Sequence, residues 1–82
     1  NPFNPATAIE FDLLNGAQVT LTVYNSTGQK IRTLIDGFRE AGLTSIFWDG
    51  SDDRNNPVAS GVYIYSLEVN EQKASRKMVL VR

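Results

Sequence analysis

Oxygen-bearing side chains recur at every second position of Asp49-Gly50-Ser51-Asp52-Asp53-Arg54-Asn55, as Asp49, Ser51, Asp53 and Asn55. That is the spacing of the first half of a calcium loop, where a hard cation gathers ~6–8 oxygens. The rest of that pattern is missing. The sixth position holds Arg54 where a tight turn needs Gly, and the twelfth holds Ser60 where a bidentate Glu is expected. Asp and Asn also populate turns on their own account, because their side chains bond the backbone two residues on. A structural turn is therefore favoured over calcium, and no cofactor is expected. The neighbouring carboxylates Asp52 and Asp53 could in principle do acid–base work, but nothing apolar surrounds them in sequence to shift a pKa.

Other chemistries are closed by composition. The chain has no His and no Cys. It therefore has no Ser-His or Cys-His nucleophile pair, no thiol redox, no disulfide and no His/Cys zinc site. We expect no enzyme activity from it alone. Phe38, Phe47, Trp48, Tyr63 and Tyr65 could stack on sugar rings, yet aromatics preferentially fill sandwich interiors. Alternation sends Phe47 and Trp48 to opposite faces, so at least one large ring should point outward. Asn25-Ser26-Thr27 fits the glycosylation triplet, although a turn accounts for the same residues. Cations gather near the end, as Lys73, Arg76, Lys77 and Arg82. They either guard an exposed sheet edge or offer a recognition surface.

The elements that would hold these residues are strands. Apolar and polar residues alternate through Ala8–Leu13 and, most cleanly, through Gln18–Tyr24, where Val19, Leu21 and Val23 share a face. Lys30–Ile35, Leu43–Asp49, Val62–Val69 and Lys73–Arg82 read as further strands, with a short seventh conceivable at Val58. Asn15-Gly16, Asn25–Gly28, Asp36-Gly37 and Asn70–Gln72 read as turns between them, and Phe38–Gly42 as a loop. Short strands with one apolar face each must bury those faces together. The expectation is an all-β, Ig-like antiparallel β-sandwich of about seven strands joined by short, hairpin-like connections.

Size and charge bound the rest. At 82 residues the chain is one small domain, 1–82, and 41% hydrophobic content suits a folded one. A net charge of −1 argues against nucleic acid as a partner. No apolar run is long enough to enter a bilayer, so no membrane insertion is expected. Asn1-Pro2-Phe3 carries neither an initiator Met nor a signal sequence, so the numbering is expected to begin inside a longer precursor.

Motifs in order along the chain carry a family resemblance. Asn1-Pro2-Phe3-Asn4-Pro5 with Thr7 and Ile9, then Val19-x-Leu21-x-Val23-Tyr24-Asn25-x-x-Gly28-Gln29, resembles the opening of the bacterial type IX secretion C-terminal sorting domains. The segment from Trp48-Asp49-Gly50 through Asp52-Asp53 and Pro57 to Ser60-Gly61-Val62-Tyr63 is similar to the related Ig-like domain named after the flagellar hook-capping protein. Lys77-Met78-Val79-Leu80-Val81 again resembles the sorting domains, while the long Asp49–Val58 connection has the hook-cap-like form. The resemblance implies a secretion and surface-sorting module carried behind an upstream passenger domain. It also implies recognition by secretion-machinery proteins of the outer membrane, and a secreted or surface-attached destination reached through the periplasm. Lys73, Arg76, Lys77 and Arg82 are the recognition candidates; Asn4, Pro5, Gly28, Trp48, Asp49, Gly50, Ser60, Gly61 and Tyr63 match as structural positions. The alternative is an Ig-like structural or interaction domain, hook-cap-like or a spacer beside a catalytic domain. Carbohydrate binding, resting on the aromatics alone, comes third.

Overall fold

Each strand places alternate side chains on one face, and burying six such faces together settles the architecture. The computed structural model describes residues 7–81, so Asn4, Pro5 and Arg82 lie outside the described residues. Its strands are β1 (Thr7–Leu13), β2 (Ala17–Asn25), β3 (Lys30–Arg39), β4 (Gly42–Trp48), β5 (Gly61–Val69) and β6 (Gln72–Leu80). β1 and β4 pair in a two-stranded sheet, and β3-β2-β5-β6 form a four-stranded one, all antiparallel. This is the expected Ig-like sandwich. At Val58, where a seventh strand was conceivable, the described residues form only an isolated bridge between Ser51 and Pro57.

The core lies between the sheets. Ile9 and Leu13 of β1 meet Val19 and Leu21 of β2 and Ile35 of β3, while Val23, Trp48, Tyr63 and Leu80 close the other end. Leu21 has no exposed surface. Burying a side chain of that size contributes about 1.5–3 kcal/mol. On the opposite face of the larger sheet, Thr33, Thr22, Ser66 and Ser75 line up across all four strands.

Two sequence expectations need correction. Asp36-Gly37 is not a turn and Phe38–Gly42 is not a loop: β3 runs through to Arg39. Thr20, Val19, Gln18 and Ala17 of β2 face Asp36, Gly37, Phe38 and Arg39 in register, and that continuous ladder overrides the local turn preference. Nor are the connections uniformly hairpins. β2–β3 and β5–β6 are hairpins, whereas β1–β2, β3–β4 and β4–β5 each pass from one sheet to the other. The β3–β4 passage takes only Glu40 and Ala41.

Local chemistry fixes the turns. Asn25 Oδ1 accepts from the backbone N–H groups of Thr27 (3.1 Å) and Gln29 (2.9 Å) and from the Thr27 hydroxyl. Gly28 completes that hairpin at φ 89°, a backbone region that a side chain disfavours. Asn25 is thus fully engaged as a turn residue.

Strand β3 carries two bulges. Its ladder with β2 shifts between Leu21 and Thr22 and again between Val23 and Tyr24, which leaves Leu34 and Ile31 without partners there. Both bulged side chains pack on the core. The shifts set Arg32 opposite Val23, on the inward side, at the end of the sandwich where the long β4–β5 connection passes.

Candidate functional site

Residues 49–60 carry the chain from β4 to β5, and two aromatic residues clamp them. Trp48 is almost wholly buried, and its Nε1–H donates to the Ser51 carbonyl at 2.8 Å. Its ring meets Tyr63 edge to face, with centroids 5.1 Å apart and planes at 63°. The Tyr63 hydroxyl donates to the Ala59 carbonyl at 2.6 Å. A tyrosine at the start of a strand bonding backbone a few residues upstream is the corner arrangement of Ig sandwiches. Gly50, buried at φ 78°, makes the bend that brings Ser51 under Trp48.

Each acidic residue of the loop meets a donor of the protein itself. Asp49 Oδ1 accepts from the Ser51 backbone N–H and hydroxyl. That hydroxyl, chiefly, holds the Asp49 carboxyl below its ordinary value; desolvation opposes it, and the Arg32 charge lowers it further. Asp52 Oδ1 accepts from the N–H groups of Arg54 and Asn56, both at 2.9 Å. Asp53 reaches β3: its Oδ1 accepts from Thr33 N–H and its own N–H donates to the Ile31 carbonyl, each at 3.0 Å.

Arg32 joins the remainder. Its Nη1 donates to Ser51 Oγ (2.8 Å), the Asp52 carbonyl (2.7 Å) and Asn55 Oδ1 (3.0 Å). One oxygen each of Asp49, Ser51, Asp53 and Asn55 is thus engaged, by Ser51, Arg32, Thr33 and Arg32 in turn. The geometry is that of a turn scaffold. What this loop does chemically is hold its own backbone against the bulged edge of β3.

Sequence reasoning missed Arg32, because its partners lie 19 to 23 residues away. A signal for the bulge was present. Leu34 and Ile35 are adjacent apolar residues in a strand that should alternate, which is what an inserted residue produces.

The cations near the end sit on β6, an edge strand of the larger sheet. Buried Leu80 and half-buried Met78 mark its inward side, which Ala74 and Arg76 share; Lys73, Ser75, Lys77 and Val79 face outward. The fold therefore does not gather the four candidates into one patch. Lys73 and Lys77 share a face, Arg76 takes the other, and Arg82 lies outside the described residues. Across the ladder Lys73 stands opposite Glu68, Lys77 opposite Ile64, and Arg76 opposite Tyr65. Of the structural matches, Gly61 begins β5 opposite Leu80 and Ser60 is exposed just before it.

The aromatics are divided rather than aligned. Trp48 and Tyr63 are core, Phe47 is 67% exposed on β4, and Phe38 is exposed on β3 near Gly16. That separation argues against a sugar-stacking platform.

Comparison with known proteins follows the fold. Residues 4–75 match the model of the FlgD Ig-like domain. The crystal structure of FlgD from P. aeruginosa superposes with a TM-score of 0.65 at 22% identity, over 92% of this chain and 60% of that one. FlgD from Xanthomonas campestris, whose crystal structure is described as giving insights into the hook capping essential for flagellar assembly, gives 0.70 at 21% identity over 93% of this chain and 56% of that one. The chain thus spans little more than half of either protein, and at these identities the likeness concerns the fold. No curated protein matches the chain. These similarities lie on the hook-cap side of the resemblance seen in the sequence, and none of them lends support to the sorting-domain side. The chain belongs to the FlgD Ig-like domain family.

Proposed function

We propose that this chain is a non-catalytic Ig-like module of a larger bacterial protein, serving as a structural and interaction domain of the hook-cap type. The observation that carries this is the match over residues 4–75, joined to a loop whose polar groups serve each other. A catalytic loop would aim a carboxylate or nucleophile outward at a substrate; here the acidic residues accept from the loop's own donors and from β3. The test is deletion of the module from its parent polypeptide. Chemistry performed by the remainder should persist, while its assembly or placement changes. Loss of the parent's chemistry with its fold intact would sink the reading.

A second reading, a type IX sorting module, is favoured by one observation. Lys77–Val81, the stretch with the sorting-domain resemblance, falls beyond the matched residues and runs along the exposed edge strand with Lys73 and Arg76 upstream. On this reading the partners are secretion-machinery proteins of the outer membrane and an upstream passenger, and the destination is the cell surface or medium. A fluorescent passenger fused ahead of the domain, in a bacterium that has this secretion route, separates the two. Export supports sorting; retention in the periplasm leaves the structural role.

A further inference from the structure

We propose that the free edge of β6 takes an extended acidic segment of a partner protein as an added strand. The proposal deepens the interaction-module reading by naming the surface and the chemistry of its partner.

Four observations converge on this edge. Among the described residues β6 pairs with β5 alone, so alternate backbone N–H and C=O groups along Gln72–Leu80 point away from the sheet. The strand contains no Pro, so no donor is missing from that edge. It carries Lys73, Arg76 and Lys77 and no acidic residue. Beside it runs a seam against β1, about 220 Å³, lined by Ile9, Glu10, Phe11, Tyr65, Leu67, Ala74 and Arg76. That volume is below the ~300 Å³ at which small-molecule pockets begin, and it suits a few side chains of an added strand.

Charge decides the partner. Two copies of β6 set edge to edge would bring like charges together, which opposes self-pairing. An acidic strand reverses the sign. Lys73 and Lys77 share the outward face four residues apart, so an added strand meets both with acids at i and i+4. Its i+1 and i+3 residues face the seam. Ile9, Phe11, Tyr65, Leu67 and Ala74 make most of that lining and Arg76 offsets Glu10, so apolar side chains fit those positions. The recognised pattern is therefore acidic, apolar, any, apolar, acidic.

The other free edges fit less well. β3 donates its Thr33 N–H to Asp53 and so is partly covered by the loop. β4 carries no charge to select a partner by sign, and β1 carries Glu10 and Asp12, which repel an acidic strand.

The experiment titrates the chain with a peptide whose centre is Glu-Val-Thr-Val-Glu, followed by amide NMR shifts and calorimetry. Saturable binding should appear with the largest shifts along β6 and β5. Lys77→Glu should weaken it about tenfold while the melting temperature holds. Replacing the central Thr of the peptide by Pro keeps the charge but blocks strand pairing, and should also cost about tenfold. A Lys-Val-Thr-Val-Lys peptide should not bind. Absence of saturable binding overturns the proposal, and so does equal affinity for the Pro peptide, which would leave plain charge attraction. Neither outcome touches the deletion experiment on the parent protein, so the two readings fail separately.

Discussion

The loop between β4 and β5 and the edge strand β6 hold much of the molecule's charge, and they use it in opposite ways. In the loop, Asp49, Asp52 and Asp53 accept from Ser51, Arg54, Asn56 and Thr33, and Arg32 binds three oxygens at once. On β6, Lys73 and Lys77 project from a strand that among the described residues is an edge of its sheet. A cluster of acids looked like the candidate site, yet each of its carboxylates meets donors of the protein itself. A sparser row of cations is what faces outward. The density of polar residues is a poor guide to function; where their partners lie is a better one.

The sharpest way to break this contrast is at the aromatic clamp. Trp48→Ala removes a fully buried ring and the donor to Ser51, and should cost about 3–5 kcal/mol. Small domains have about 5–15 kcal/mol in all, so chemical denaturation should show a large fall in the unfolding midpoint. A loss below about 1 kcal/mol would mean the loop holds without its anchor.

Arg32→Met comes next. It keeps the apolar stem and removes the donors to Ser51, Asp52 and Asn55. About 1–3 kcal/mol should be lost, with faster amide exchange at Asp53, whose N–H bonds Ile31. Unchanged exchange would show that the loop is fixed by its turns alone.

Asp49→Asn should cost less than the Arg32 substitution and depend on pH. The folded Asp49 carboxyl lies below its ordinary 3.8, so its contribution is complete above that value and is lost as pH falls through the lower folded one. The gap in melting temperature between wild type and variant should therefore be constant near neutrality and close in strong acid. A gap that widens on acidification would contradict the Ser51 and Arg32 assignment.

The smallest effect belongs to the edge. Lys73→Glu with Lys77→Glu should change stability by less than about 0.5 kcal/mol per site, measured by thermal melting. Lys73 stands opposite Glu68, so its reversal should be the costlier of the two. A large loss at Lys77 would show it to be structural and remove the contrast between the regions.

What the sequence disclosed follows the range of the forces involved. β2 was legible because Val19, Leu21 and Val23 alternate without a break, and the turn at Asn25 because Asx chemistry acts within four residues. That Phe47 and Trp48 take opposite faces followed from period two; which of them is buried, Trp48, came from the structure. The far half of β3 was hidden, since Asp36-Gly37 reads locally as a turn and only the register with Thr20 and Val19 says otherwise. Arg32 was hidden for the same reason: its role exists only once β3 and the loop are brought together. The separation of Arg76 from Lys73 and Lys77, by contrast, was already implied by counting along the strand.

The way β1 is held has a kinetic consequence. Within the described residues its only ladder is with β4, from Thr7 opposite Trp48 to Leu13 opposite Gly42, so nearly thirty residues or more separate every pair. The two hairpins, β2–β3 and β5–β6, close locally and can form on a microsecond scale. β1 has nothing to zip against until the intervening chain has brought β4 into place, and long-range pairing of this kind slows folding. The same asymmetry runs in reverse. The two-stranded layer should be the first to open from the native state, so amides of β1 and β4 should exchange ahead of those in β2 and β5, which are flanked on both sides. The molecule is thus expected to behave as a durable four-stranded plate with a less durable cover, which Ile9 and Leu13 of β1 fasten to Val19, Leu21 and Ile35 of the plate.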